Sequence, residues 1–152
     1  MKQIIFIFLL FGLVSCQITA PTFKSLGQWR VASVSGAQVT VTNVAYLYNP
    51  NKIDGMKLNG INLAVQTDGR NLGKFEISQP GMTIPKLSDF EIPVSFIVNI
   101  SDLIGNLPSI ISVVTGKTID IRCIGKIDVG YIAFNKSIEI DQTVPLNIKD
   151  IK

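Results

Sequence analysis

Residues 90–100 read Phe90-Glu91-Ile92-Pro93-Val94-Ser95-Phe96-Ile97-Val98-Asn99-Ile100. Phe90, Ile92, Val94, Phe96, Val98 and Ile100 are apolar, and four of the five intervening positions are not. In an extended chain, side chains point to alternate sides, so this period of two puts six apolar groups on one face. The stretch predicts a long β-strand with one buried side. Three other stretches carry the same signal. Val39, Val41, Ala45 and Leu47 alternate with Thr40, Thr42, Val44, Tyr46 and Tyr48. Ile119, Ile121, Cys123, Ile127 and Val129 alternate with Asp120, Arg122, Lys126 and Asp128. Ile132, Phe134, Ile138 and Ile140 alternate with Asn135, Ser137, Glu139 and Asp141. Turn residues separate the runs at Asn49-Pro50-Asn51, Asp54-Gly55, Asp68-Gly69 and Pro80-Gly81. About seven strands at this spacing predict an all-β, antiparallel sandwich.

Two hairpin registers follow from matching inward faces. With Gly130-Tyr131 as a two-residue turn, Val129 faces Ile132, Ile127 faces Phe134, Cys123 faces Ile138 and Ile121 faces Ile140. Arg122 then lies opposite Glu139. Around Asp68-Gly69, a two-residue loop sets Leu63 against Lys74, mixing the faces. A three-residue loop, Asp68-Gly69-Arg70, sets Leu63 against Phe75 and Ile61 against Ile77, and is the expected one.

One segment departs from the period of two. Leu103, Leu107, Ile110, Ile111 and Val114 recur at helical spacing, with Ser101 or Asp102 as a start and Gly116 as an end. Pro108 forbids one unbroken helix, so a short turn and a helix of about two turns starting near Pro108 are expected. Together with Ile104 and Val113, this stretch carries more apolar groups than one narrow stripe buries. Two readings follow. In one, Leu103, Ile104, Leu107, Ile110, Ile111 and Val114 line an apolar groove that takes a lipid tail or an unfolded segment. In the other, the helix is buried and closes a thick core.

The first residues set location. Lys2 precedes an apolar run from Ile4 to Val14, then Ser15-Cys16. That is the order of a secretory signal, and the run is shorter than the roughly 20 residues of a membrane span. Leu13-Val14-Ser15-Cys16 resembles the bacterial lipobox, in which the cysteine is acylated and becomes the first mature residue. The resemblance implies a signal peptide over 1–15 and fatty acylation, palmitate for example, at Cys16. The alternative is an ordinary signal cut near Ala20. Gln17 is not the aspartate that retains such proteins in the inner membrane, and no acidic cluster follows. The resemblance thus implies an outer-membrane anchor with the domain facing the periplasm. Residues 16–27 read as a lipidated tether, and the domain as 28–152.

Composition narrows the chemistry. The sequence is 47% hydrophobic and 16% charged, so a packed core is expected. The formal charge of +3 is scattered along the chain, without the basic cluster that nucleic acid requires. There is no histidine, which removes the usual Ser-His-Asp arrangement and most zinc sites. Cys123 lies among inward isoleucines and reads as a small hydrophobe. Glu139 and Asp141 share a strand face with Arg122 and Asp120, and read as a solvated ion-pair face. Asn49, Asn51, Asp54 and Gly55 superficially resemble a calcium loop that lacks its bidentate glutamate. Tyr46 and Tyr48 share a face with Val44; they form either an aromatic patch or the covered second side of a strand. No catalytic set, cofactor or metal site is expected.

The order of elements resembles the group 2 late-embryogenesis-abundant proteins, also called the water-stress and hypersensitive-response domain. The landmarks are the Val/Thr strand entering Asn49-Pro50-Asn51, Leu58 to Val65, Asp68-Gly69, Ile92-Pro93-Val94, Asp102-Leu103, Gly116 before Ile119 to Gly125, and Ile138 to Ile148. The resemblance implies a fibronectin-III/immunoglobulin-like sandwich with one short helix, no catalytic residues, and a role in stress protection through contact with membranes or apolar ligands. The expected function is that of a non-enzymatic, membrane-anchored lipoprotein that binds or shields lipid or protein apolar surfaces. The alternative is a periplasmic scaffold or assembly subunit that pairs with partner proteins through strand edges.

Overall fold

The computed structural model describes residues 18–77, 81–99, 101–102, 118–132 and 134–147. Ten strands occur among them: β1 (Thr22–Leu26), β2 (Arg30–Ser35), β3 (Gln38–Asn49), β4 (Met56–Thr67), β5 (Arg70–Lys74), β6 (Glu76–Ile77), β7 (Thr83–Ile84), β8 (Ser88–Asn99), β9 (Thr118–Tyr131) and β10 (Phe134–Asn147). They form two five-stranded antiparallel sheets packed face to face. The first has the order β1-β3-β8-β6, with β2 also on β3; the second has β10-β9-β4-β5, with β7 also on β4. The five long strands are those with strong alternation or a long apolar run. The short ones, β1, β2, β5, β6 and β7, line the edges, where pairing is one-sided and periodicity fades.

The alternation read from the sequence is the core. Val39, Val41, Ala45 and Leu47 of β3 and Phe90, Ile92, Val94, Phe96 and Val98 of β8 are buried. They face Leu58, Leu63 and Val65 of β4, and Ile121, Cys123, Ile127 and Val129 of β9. In β4 the buried parity switches from Met56 and Leu58 to Leu63 and Val65, because a register shift against β9 between Leu58 and Gly60 absorbs one residue.

The β4–β5 hairpin keeps the expected register but locates the extra residue elsewhere. Asp68 and Gly69, both with positive φ (47° and 75°), form a two-residue turn in which Thr67 faces Arg70. The extra residue is a bulge at Leu72, after which Ala64 faces Lys74 and the Phe75 amide donates to the Leu63 carbonyl at 3.0 Å. Ile77 does not reach Ile61. At Phe75 the chain leaves the second sheet, and Ile77 pairs with Val94 of β8 in the first.

The β9–β10 hairpin closes two residues later than the Gly130-Tyr131 turn. Phe134 faces Tyr131, Ile138 faces Ile127, Ile140 faces Gly125, and Cys123 and Ile121 face Gln142 and Val144. Ile138 and Ile140 are still inward, since an even shift preserves the face. Ile132 and Phe134 are not: they lie at the tip, 90% and 59% exposed. Gly130 is a glycine for a different reason. The Asn59 amide donates to the Asn135 side-chain oxygen at 2.8 Å across it, and a Cβ would overlap those side chains. Arg122 accordingly meets Asp141, not Glu139, which faces Lys126.

Two further expectations change or fall outside. Thr22–Leu26, read as tether, is strand β1, in which Thr22 faces Tyr48 and Leu26 faces Ala45. Ser101 and Asp102 are helical, and the rest of the expected helix lies outside the described residues.

Candidate functional site

The long strands define two ends. The turn connections 50–55, the segment 81–87 that holds β7, the β9–β10 tip and the start of β1 share one end; Gln38, Asn99, Thr118 and Asn147 mark the other. Asn49 and Asn51, both buried, organise the first end. The Asn49 amide donates to the Pro85 carbonyl at 2.9 Å, and its side-chain oxygen accepts from the Asn51 backbone N–H at 3.1 Å. The Thr19 N–H donates to the Asn51 side-chain oxygen at 2.9 Å, and the Asn51 amide donates back to the Thr19 carbonyl at 2.7 Å. The Leu87 N–H donates to the Asn51 carbonyl at 3.1 Å. Asn-Pro-Asn is therefore more than a turn. Its two amides replace strand partners for three chain segments, and satisfy buried polar groups that would otherwise cost about 1–3 kcal/mol each. The side chains that superficially resembled a calcium loop are committed here, with Asp54 bound to Lys86 at 2.6 Å. Ile18 and Ala20 pack on the core beside Thr19.

A second feature lies on the outer face of the first sheet. β1 ends opposite Ala45 and β2 begins opposite Thr42, so Asn43 and Val44 of β3 are left between them. Gly27 bridges this gap: its N–H donates to the Val44 carbonyl at 2.9 Å, and its carbonyl accepts from the Asn43 amide at 3.1 Å. The gap opens into a groove of about 630 Å³ lined by Arg30, Thr42, Val44, Tyr46 and Pro93 among others. Of the expected aromatic pair, Tyr46 lines this groove. Tyr48 stacks under the Lys24 ammonium at 5.5 Å, and Lys24 is also paired with Asp89 at 2.5 Å. Val44 and Ile124 are half-buried and Ile97 is 52% exposed, so the outer faces are partly apolar.

The remaining candidates are separate from both features. Cys123 is fully buried, and desolvation pushes its thiol up to about 12, away from reactivity. Arg122 meets Asp141 in a two-pronged bond of 2.7 and 2.6 Å on the exposed face of β9–β10. Hydrogen bonding from Arg122 holds the Asp141 carboxyl below its usual range. Ser137 donates to Asp128 at 2.6 Å on the same face. Among the described residues there is no group of three or more histidine, cysteine or acidic side chains placed to hold a metal, and no helix long and apolar enough to cross a membrane. Cys16 and the six groove candidates Leu103, Ile104, Leu107, Ile110, Ile111 and Val114 lie outside the described residues. The Thr19–Asn51 clasp escaped the sequence reading, because only the density of asparagine around Pro50 hinted at it.

No protein-family model matches the chain, and no curated protein matches it. The fold is similar to the crystal structure of a protein from Archaeoglobus fulgidus, with a TM-score of 0.58 and 13% identity over 83% of this chain and 97% of that one. At that identity the likeness is one of architecture: two layers of antiparallel strands.

Proposed function

We propose that this chain is a non-catalytic, lipid-anchored protein of the cell envelope, acylated at Cys16, whose sandwich binds or shields apolar surfaces next to the membrane. The observation that carries the reading is the Thr19–Asn51 clasp. A cut before Cys16 keeps every described residue. A cut near Ala20 would remove Thr19 and Ile18, and with them two hydrogen bonds and part of the core. The clasp therefore speaks against the cut near Ala20 and is compatible with the cut before Cys16 that the lipobox-like tetrad suggests. Acylation by two or more chains, each methylene contributing about 0.8 kcal/mol, makes such an anchor stable. The finer reading, a stress-protection domain of the group 2 late-embryogenesis-abundant type on the periplasmic side of an outer membrane, is supported by the two-layer fold and by the landmarks from Val39 to Ile148.

The test is mass spectrometry of the N-terminal peptide after expression of the full chain in a Gram-negative cell, with fractionation of the Cys16→Ala variant. A diacylglyceryl-modified Cys16 and release of the variant into the soluble fraction support the anchor. An unmodified terminus downstream of Cys16 sinks it.

A second reading has its own observation. β10 is a 14-residue edge strand, and among the described residues its outer side pairs with no other strand. Such an edge can accept a partner's strand, although Lys136, Glu139, Asp141 and Pro145 oppose indiscriminate pairing. Co-purification of one stoichiometric protein in detergent, lost when Gln142→Pro blocks the edge, distinguishes a scaffold from a lipid-facing domain.

A further inference from the structure

Leu87, Ile132 and Phe134 are large apolar side chains exposed at the end of the sandwich that holds Thr19, with exposures of 49%, 90% and 59%. Two of them are exposed at a backbone cost. Leu87 and Ile132 have φ of 47° and 51°, in the left-handed region that glycine or asparagine enters readily and a β-branched residue does not. Asparagine or glycine at either place would relieve the backbone and remove apolar surface from water. Neither is present, and strain kept at exposed positions points to a use for the side chain.

The short sequence distance from Thr19 to Cys16 points to an occupant for this end. Thr19 is fixed by Asn51, and only three residue steps separate it from Cys16. A trans chain spans at most about 3.6 Å per residue, so three steps reach no more than ~11 Å from the clasp. An acyl chain on Cys16 would draw this end to the bilayer, within the depth of roughly 5–10 Å over which interfacial apolar groups are buried. Lys52, Lys57 and Lys86 surround the same end and can set their ammonium groups among lipid phosphates, although Lys86 also meets Asp54.

We propose that the sandwich stands end-on against the membrane that holds its lipid, with the β9–β10 tip and Leu87 seated in the bilayer interface. The occupant of this apolar end is the lipid surface itself. The inference rests on the anchor at Cys16 and goes beyond it, since an anchored domain on a long tether would have no fixed face.

The test uses full-length, membrane-extracted protein in phosphatidylethanolamine/phosphatidylglycerol vesicles. Phe134→Cys and, as the opposite-end control, Ile97→Cys are labelled with an environment-sensitive fluorophore; the buried Cys123 thiol does not compete. Both sites are exposed, so neither label disturbs the core. A lipid-borne quencher should remove at least half of the emission at position 134 and leave position 97 nearly unchanged. Equal quenching at both, or none at either while the protein still floats with the vesicles, overturns the end-on seating and leaves the anchor standing. Protein that fails to float overturns both. As a second arm, Ile132→Asn should raise the unfolding midpoint, because asparagine tolerates the left-handed backbone, and reduce quenching at position 134. A raised midpoint with undiminished quenching would remove Ile132 from the seating.

Discussion

Thr19 and Asn51, 32 residues apart, exchange a reciprocal pair of hydrogen bonds that fastens the start of the chain to the turn after β3. The Asn51 amide is further bound to the Asn49 side-chain oxygen at 2.7 Å, so its nitrogen sits between two acceptors. Asn51→Ala should cost about 1–3 kcal/mol and raise hydrogen exchange at the Thr19 amide. Asn51→Asp should cost more than alanine near neutral pH, because a carboxylate would face two oxygens in a nearly dry site. Chemical denaturation with amide exchange checks both; an aspartate variant as stable as the parent would contradict the network.

Trp29 lies between the sheets, in the link from β1 to β2. It stacks on Phe75 at 5.9 Å and meets Phe96 edge-on at 5.6 Å, and its Nε1–H donates to the Val144 carbonyl at 3.1 Å. Trp29→Phe keeps the stacking and should cost about 1 kcal/mol for the lost donor. Trp29→Ala should cost about 3–5 kcal/mol. Circular dichroism across a urea series gives the ranking, and equal costs would show that the indole N–H, not the ring, dominates.

Cys123 connects stability to pH on the alkaline side. Its thiol is held near 12 by burial, against 9.0 ordinarily. Above that ordinary value the unfolded chain releases a proton that the native chain retains. Stability is therefore unaffected by this group below pH 9 and falls above it, by up to about 1.4 kcal/mol per pH unit until the native thiol ionises. Cys123→Ala should flatten the alkaline fall. Urea midpoints measured below and above pH 9 test this, as does the resistance of native Cys123 to thiol reagents.

Gly125 and Gly69 separate two reasons for a glycine. Both have positive φ, 149° and 75°. At Gly125 a Cβ would overlap the Asn62 carbonyl in the middle of the second sheet, whereas nothing lies within 4 Å of one at Gly69. Gly69→Ala should cost roughly 1–2 kcal/mol, the backbone penalty alone. Gly125→Ala should exceed it, at about 3 kcal/mol or more, because two paired backbones must part. Comparable midpoints for the two variants would refute the steric argument.

Strand faces were legible wherever burial was one-sided. Residues 39–47, 90–98 and 119–129 alternate because one face meets the opposing sheet, and the parity rule carried Leu63 to Phe75 even though the bulge at Leu72 was invisible. What failed was local chemistry overruled by packing. Gly130 reads as a turn, yet it is a strand residue kept small by the Asn59–Asn135 bond, and the tip falls at Ile132, against its own backbone preference. β1 was missed because Thr22-Phe23-Lys24-Ser25-Leu26 lies on an edge and alternates weakly. The clasp was missed because a hydrogen bond across 32 residues leaves no periodic trace. The groove beside Tyr46 comes from the gap between two short edge strands, which no pattern within β3 announces.

The crossing at Phe75 has a mechanical consequence. β5 ends at Lys74 in one layer and β6 begins at Glu76 in the other, so a single residue stitches the two sheets together along one edge. Neither layer can peel away without dragging the neighbouring layer's margin, and the Trp29–Phe75–Phe96 rings sit at that seam. Loss of one layer should therefore carry the other with it.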